Sequence, residues 1–210
     1  MQVISRRQLF AGIAAVGGSF TATGRLAAQS DDPFDFSKPL YGWATMDGEW
    51  GIEEVPGAVH NGRALVQRAT TNEFNVIVAP GGPYANVMVS ARFRPMAGGE
   101  DASGGIVFRF SEGRYYVVRA NALENNFRLY YYDRGRRMIT TTSITAPALG
   151  QWHRLQISAN RDRIQGWLNG RVLIDQRDSR FTAGRIGLWT KSDSITAFDS
   201  IAVVPLDDND

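Results

Sequence analysis

The chain has 210 residues, 23 of them basic and 21 acidic, with no cysteine and two histidines. The missing thiols exclude disulfides, thiolate catalysis, thiolate metal ligands and a lipidated N-terminal cysteine, so a packed core must hold the fold. His60 and His153 stand alone, without HExxH spacing, which argues against a catalytic zinc or a Ser-His-Asp triad.

The N-terminus reads as an export signal. Ser5-Arg6-Arg7-Gln8-Leu9-Phe10 has the paired arginines and trailing apolar residues of a twin-arginine motif. A weakly apolar stretch over 11–22, then Arg25 and Leu26-Ala27-Ala28, supply an h-region and a cleavage site near Ala28. The stretch is too short and too rich in Gly and Ala for a stable membrane anchor, and no second run of spanning length occurs later. The expectation is passage through a twin-arginine translocase to a periplasmic or secreted location, with residues 1–28 removed. Losing Arg6, Arg7 and Arg25 leaves 20 basic against 21 acidic residues, without the basic excess that a nucleic-acid partner requires. All but Lys38 and Lys191 of the basic residues are arginine, whose planar fork suits carboxylates and hydroxyls.

Residues 29–39 are acidic and turn-rich and read as a linker or a first irregular strand. From 40 to 205 the chain alternates short aromatic and β-branched runs with Gly, Asn, Asp and Pro, which predicts an all-β antiparallel sandwich. Residues 206–210 form an acidic tail. Ile106-Val107-Phe108-Arg109-Phe110 alternates as a half-buried strand should. A three-residue loop at Glu112-Gly113-Arg114 would oppose Ser111 to Tyr115, and a four-residue loop over 123–126 would oppose Ala122 to Phe127. The two registers place Ile106, Phe108, Phe110, Tyr116, Val118, Ala120, Phe127, Leu129 and Tyr131 on a core face. Arg109, Tyr115, Arg119, Asn121, Arg128, Tyr130 and Tyr132 fall on the other. Further strands are predicted over 137–144, 152–158 with Leu155 and Ile157 inward, 164–170, 184–190 and 196–204. Trp43, Trp50 and Trp152 suit core or edge packing; the side that Trp189 faces stays open.

Several segments carry a family likeness: Gly104-Gly105-Ile106-Val107-Phe108-Arg109-Phe110, Tyr115-Tyr116-Val117-Val118-Arg119-Ala120-Asn121, Trp152-His153-Arg154-Leu155, Gly187-Leu188-Trp189-Thr190-Lys191-Ser192-Asp193 and Phe198-Asp199. Over 43–204 the chain resembles the concanavalin A-like lectin and glucanase superfamily, most nearly the 3-keto-disaccharide hydrolase and laminin G-like domains of exported bacterial proteins. The resemblance implies a jelly-roll fold and a carbohydrate or glycoside ligand, without fixing an activity.

Glycoside hydrolysis commonly uses two carboxylates flanking the scissile bond. The Glu-x-Asp-x-x-Glu run of family-16 glycosidases, which keeps its acids on one strand face, is missing. Glu53-Glu54 and Glu100-Asp101 are adjacent pairs whose members would point oppositely in a strand. An enzyme would draw on Asp101, Glu124 and Asp193, in or beside loops of the matching segments; each also suits a plain turn role. The sequence shows no cofactor motif, and the resemblance allows a structural calcium on Asp199. The stronger signal is the Arg/aromatic face, where Tyr130 and Tyr132 would stack on sugar rings while Arg109, Arg119 and Asn121 meet hydroxyls, with Trp167 joining if its strand shares the sheet. The same face also suits cross-strand pairing for stability alone. The reading is therefore a carbohydrate-binding, lectin-like domain, with a glycoside-cleaving enzyme as the alternative.

Overall fold

A computed structural model describes residues 32–71 and 73–207; the export signal over 1–28, with Arg6 and Arg7, lies outside the described residues. In chain order the strands begin with β1 (Ala44–Asp47), β2 (Trp50–Glu54), β3 (Arg63–Gln67), β4 (Phe74–Val78) and β5 (Val87–Ala97). The middle of the chain forms β6 (Ser103–Ser111), β7 (Arg114–Asn121), β8 (Asn126–Tyr132) and β9 (Arg136–Ser143). Then come β10 (His153–Asn160), β11 (Arg163–Leu168), β12 (Arg171–Arg177), β13 (Arg185–Lys191) and β14 (Ile195–Pro205). They form two seven-stranded antiparallel sheets, a front sheet ordered β1-β4-β13-β6-β7-β8-β9 and a back sheet ordered β12-β11-β10-β5-β14-β3-β2. No helix occurs among the described residues.

The core lies between the sheets, as alternation predicts. Phe108, Tyr116, Val118, Phe127 and Leu129 come from the front sheet, and Leu65, Phe93, Leu155, Ile157 and Phe198 from the back, all fully buried. At one crowded point glycine is required: a Cβ on Gly104 would lie 2.6 Å from the Phe93 ring.

Both predicted hairpins shift by two residues, Val107 opposing Val117 rather than Arg119, and on β6 the faces are kept as far as Phe108. Ala120, not Ala122, opposes Phe127, and Tyr115 opposes Tyr132. A shift of two preserves side-chain parity, so Tyr116, Val118, Phe127 and Leu129 stay inward. The β6–β7 turn is tighter than expected: Ser111 opposes Arg114, and Glu112 and Gly113 both take positive φ, 51° and 77°, as a two-residue primed turn needs. The extra residue is absorbed as a bulge between Phe108 and Ser111, where Arg109 has φ 52°. That bulge reverses the side-chain parity beyond it and turns Phe110, expected in the core, onto the outer face beside Tyr115.

The N-terminal segment corrects the linker expectation for 32–39. Phe36 is fully buried in the core, and Trp43 donates its indole N–H to the Pro33 carbonyl at 2.9 Å. Two aromatic side chains, Phe34 and Phe36, pack against Trp43, which the acidic composition of this stretch concealed.

Candidate functional site

A sheet face turned toward water is ordinarily polar. The outer face of the front sheet is not: Val76, Val78, Val107, Val117, Tyr115, Tyr130 and Trp189 form a second buried cluster, with Phe74, Phe110 and Tyr132 packed on it. Its rings stack in series. Phe110 lies against Tyr115 at 5.8 Å, Tyr115 against Tyr132 at 5.2 Å and Phe74 against Trp189 at 5.7 Å between centroids. Trp189 donates to the Tyr115 hydroxyl, and burial pushes that phenol's pKa up, helped by the neighbouring Tyr132. At one end the rings floor an open groove of about 470 Å³, rimmed by Asp47, Glu73 and Glu112.

The other end of the face is polar. Arg119 is 2% exposed and gives hydrogen bonds to Asn126 at 2.8 Å, Glu124 at 2.6 Å and the Tyr130 hydroxyl at 3.3 Å. Gly105 lies directly across from Arg119, and a Cβ there would come within 3.1 Å of the Arg119 Cβ. Arg128 joins from β8, reaching the same Tyr130 hydroxyl at 3.1 Å and Glu124 at 3.4 Å. Arg136 covers the rings of Phe74 and Tyr130, its guanidinium carbon 5.1 and 4.9 Å from their centroids.

The three acids singled out from the sequence gather at this end, each already engaged. Asp101, fully buried, accepts from Lys191 at 3.1 Å and from the Ser194 hydroxyl at 3.2 Å. Asp193 accepts the backbone N–H groups of Gly99 at 2.6 Å and Asp101 at 2.8 Å. Those backbone hydrogen bonds, that of Gly99 foremost, hold its pKa below the usual carboxylate value. Burial pushes Glu124 up, but the Arg119 hydrogen bond and charge, with Asn126 and Arg128, outweigh it and hold the carboxyl down. Both therefore stay ionised near neutral pH, the wrong state for a proton donor.

Three expected site residues lie elsewhere. Arg109, placed by the sequence on the binding face, is 1% exposed. The bulge turns it to the end of the sandwich, where it donates to the carbonyls of Ala85, Phe181 and Arg161 at 2.8, 2.9 and 2.6 Å. Its role there is to satisfy backbone. Trp167 belongs to β11 in the back sheet and does not join the front face. Asp199, the expected calcium ligand, is fully buried facing donors: the N–H groups of Val59 and Ser200, each at 2.6 Å, Arg92 at 3.4 Å and His60 at 3.5 Å. Calcium needs several converging oxygens, and among the described residues no cluster of three metal-ligating side chains forms.

Arg119, Asn121, Tyr130 and Tyr132 do share the front face, but Arg119, Asn121 and Tyr130 are buried beneath neighbours. Sequence reasoning missed Phe74, Trp189, Lys191 and Arg136. A usable signal existed: Val76-Ile77-Val78 and Val117-Val118 are unbroken apolar runs, the mark of strands buried on both faces.

Two antiparallel sheets packed face to face, with sequential hairpins in the front one, define a jelly-roll sandwich of the concanavalin A-like type. The chain belongs to the family described as the 3-keto-alpha-glucoside-1,2-lyase-like domain, whose model matches residues 32–204. It is similar to carbohydrate-binding module CBM66 from Bacillus subtilis, at 20% identity and TM-score 0.65, covering 77% of this chain and 94% of that one. A Bacillus subtilis protein with a galectin-like fold shares 13% identity at TM-score 0.58, covering 77% and 88%. Levanase of Bacillus subtilis is 21% identical over 157 residues, which is 73% of this chain and only 21% of levanase. At these identities the structural likenesses establish the fold.

Proposed function

We propose that this protein is an exported carbohydrate-binding domain that holds a glycan along the outer face of its front sheet. The carrying observation is the ring layer of Phe74, Tyr115 and Tyr132 on a face that would otherwise be polar, flooring a groove rimmed by Asp47, Glu73 and Glu112, with arginines at the other end of the face. Sugar rings stack their C–H faces on aromatic rings while hydroxyls bridge acids and arginines. The likeness to CBM66 supports this reading.

Calorimetric titration against a panel of neutral and acidic oligosaccharides tests it. Saturable binding that weakens in Tyr132→Ala is expected; no binding to any glycan at millimolar concentration would overturn it. For the export part, Arg6→Lys combined with Arg7→Lys should trap precursor in the cytoplasm, and normal export of that variant would remove the twin-arginine route.

The gathering of Asp101, Glu124 and Asp193 at one end, with the family's description, supports a second reading: an enzyme cleaving 3-keto-glucosides. Ionised Glu124 would then act as a base. Release of free sugar from a 3-keto-disaccharide, lost in Glu124→Gln, would establish it; intact substrate would set it aside.

A further inference from the structure

The polar end of the front face carries donors that the chain itself does not satisfy. Asn121, the last residue of β7, is fully buried, and its Oδ1 accepts the backbone N–H groups of Ala102 at 3.2 Å and Leu123 at 2.9 Å. Two donors aimed at one branch of the amide identify that branch as the oxygen. The planar group then turns Nδ2 away from both loops, and this buried donor has no partner. Arg128, directly across from Arg119, likewise has a buried Nε without a partner. Asn121 and Arg119 alternate to the same face of β7, so the two orphan donors occupy one corner.

Arg119, Arg128 and Lys191 share that corner with Asp101, Glu124 and Asp193, and all three acids are already engaged: with Lys191 at 3.1 Å, with Arg119 at 2.6 Å, and with the backbone N–H groups of Gly99 and Asp101. Buried donors without partners call for a ligand group that accepts. One of the two donors, Arg128 Nε, belongs to a guanidinium, which makes its stronger hydrogen bonds to acceptors that carry negative charge. A hydroxyl would meet the first requirement and leave the second unused.

We propose that this corner recognises the carboxylate of an acidic sugar, so that the glycan held on the front face carries uronate residues. The inference rests on the sugar-binding reading and narrows it. Arg128 and Tyr132 are four residues apart on β8, about 13 Å along a strand. A carboxylate at Arg128 and a ring stacked at Tyr132 therefore belong to different residues of one oligosaccharide.

The test compares oligomers of galacturonate, glucuronate and mannuronate with their methyl esters, which keep the ring and remove the charge, by calorimetry at low salt. At least one free acid should bind roughly tenfold or more tightly than its ester. Asn121→Asp keeps the accepting oxygen for Ala102 and Leu123 but replaces the orphan donor with an anionic oxygen, and should abolish that preference. Arg128→Gln, at a half-buried position, should do the same and carries the test if Asn121→Asp fails to fold by circular dichroism. Equal binding of acid and ester, or a preference that survives Arg128→Gln, would overturn the proposal and leave sugar binding intact. Binding of neutral glycans alone would do likewise. Binding of no glycan at all would overturn both.

Discussion

On the outer side of the back sheet, Arg163 of β11 meets Asp175 of β12 at 2.6 Å with both side chains about half exposed. On the outer side of the front sheet, Trp189 and Tyr130 are 1% and 3% exposed, under further rings. The back sheet does bury apolar side chains on its outer side near β3 and β14, where Val66 and Ala197 pack with Val55 and Ala58. There the chain lays its own loop across the sheet, and Val59 anchors that loop to Asp199 at 2.6 Å. Among the described residues, the apolar cluster on the front sheet is packed by side chains of its own strands, Phe74, Phe110 and Tyr132. An apolar outer face roofed by a loop is accounted for by packing; one roofed by stacked tyrosines and arginines beside an open groove is the better place to look for a ligand.

The sharpest break in this comparison separates neighbours on β6. Phe108→Ala empties a fully buried ring position between the sheets and should cost about 3–5 kcal/mol, read from urea denaturation. Arg109→Ala leaves its own buried position empty and strips the carbonyls of Ala85, Phe181 and Arg161 of their donor, and should cost about 1–3 kcal/mol. Neither should change glycan affinity in protein that remains folded. A tenfold loss of affinity in folded Arg109→Ala would return that arginine to the binding site and blur the boundary between scaffold and face.

Tyr132→Ala tests the face itself. It removes ring area from the groove and should weaken glycan binding by about 1–2 kcal/mol, roughly tenfold. Its stability loss should stay near 1 kcal/mol, because the stacking partner Tyr115 remains held by Phe110 and Trp189. A large stability loss with unchanged binding would make the ring layer a second core and nothing more.

The period of two was readable on β7 and β8 where Ala120, Phe127 and Leu129 alternate with Arg119, Asn121 and Arg128, although Tyr115-Tyr116, Val117-Val118 and Tyr130-Tyr131-Tyr132 carry like residues on both faces. Hairpin shifts of two residues therefore left every face assignment on these strands standing. The Arg109 bulge was not readable: Glu112-Gly113-Arg114 is compatible with a two- or a three-residue loop, and only the packing of Arg109 against distant carbonyls selects between them. The same limit hid Trp167, since neighbours in a sheet such as β13 and β6 are far apart in sequence. Phe74 and Lys191 come to the face from such remote strands. The role of Asp199 depends on a loop more than a hundred residues away, and no local pattern encodes that contact.

Acid should loosen the loop that holds Asp101. Asp193 is held below its ordinary value of 3.8 by the backbone N–H of Gly99 and its neighbours. A lowered folded-state pKa means that its stabilisation is present above the unfolded value and is lost as pH falls through the folded one. The urea midpoint should therefore decline as pH drops below about 4, and Asp193→Asn should flatten part of that decline. A variant with an unaltered acid limb would show that those hydrogen bonds contribute little.

The smallest expected effect completes the contrast. Arg163 and Asp175 make paired hydrogen bonds at 2.9 and 2.6 Å, a favourable geometry, yet both carry about half of their surface in water. Water and salt screen such a pair, and ordering two long side chains offsets much of what attraction remains. Arg163→Gln should thus leave the urea midpoint nearly unchanged, and any change should shrink at high ionic strength. Glycan affinity should be unchanged, because the pair lies on the opposite sheet from the groove. A change in affinity with the fold intact would place a binding surface on the back sheet, beside Arg161 and Arg177 in a second open depression. The aromatic face would then lose its claim as the only glycan-holding surface of the two.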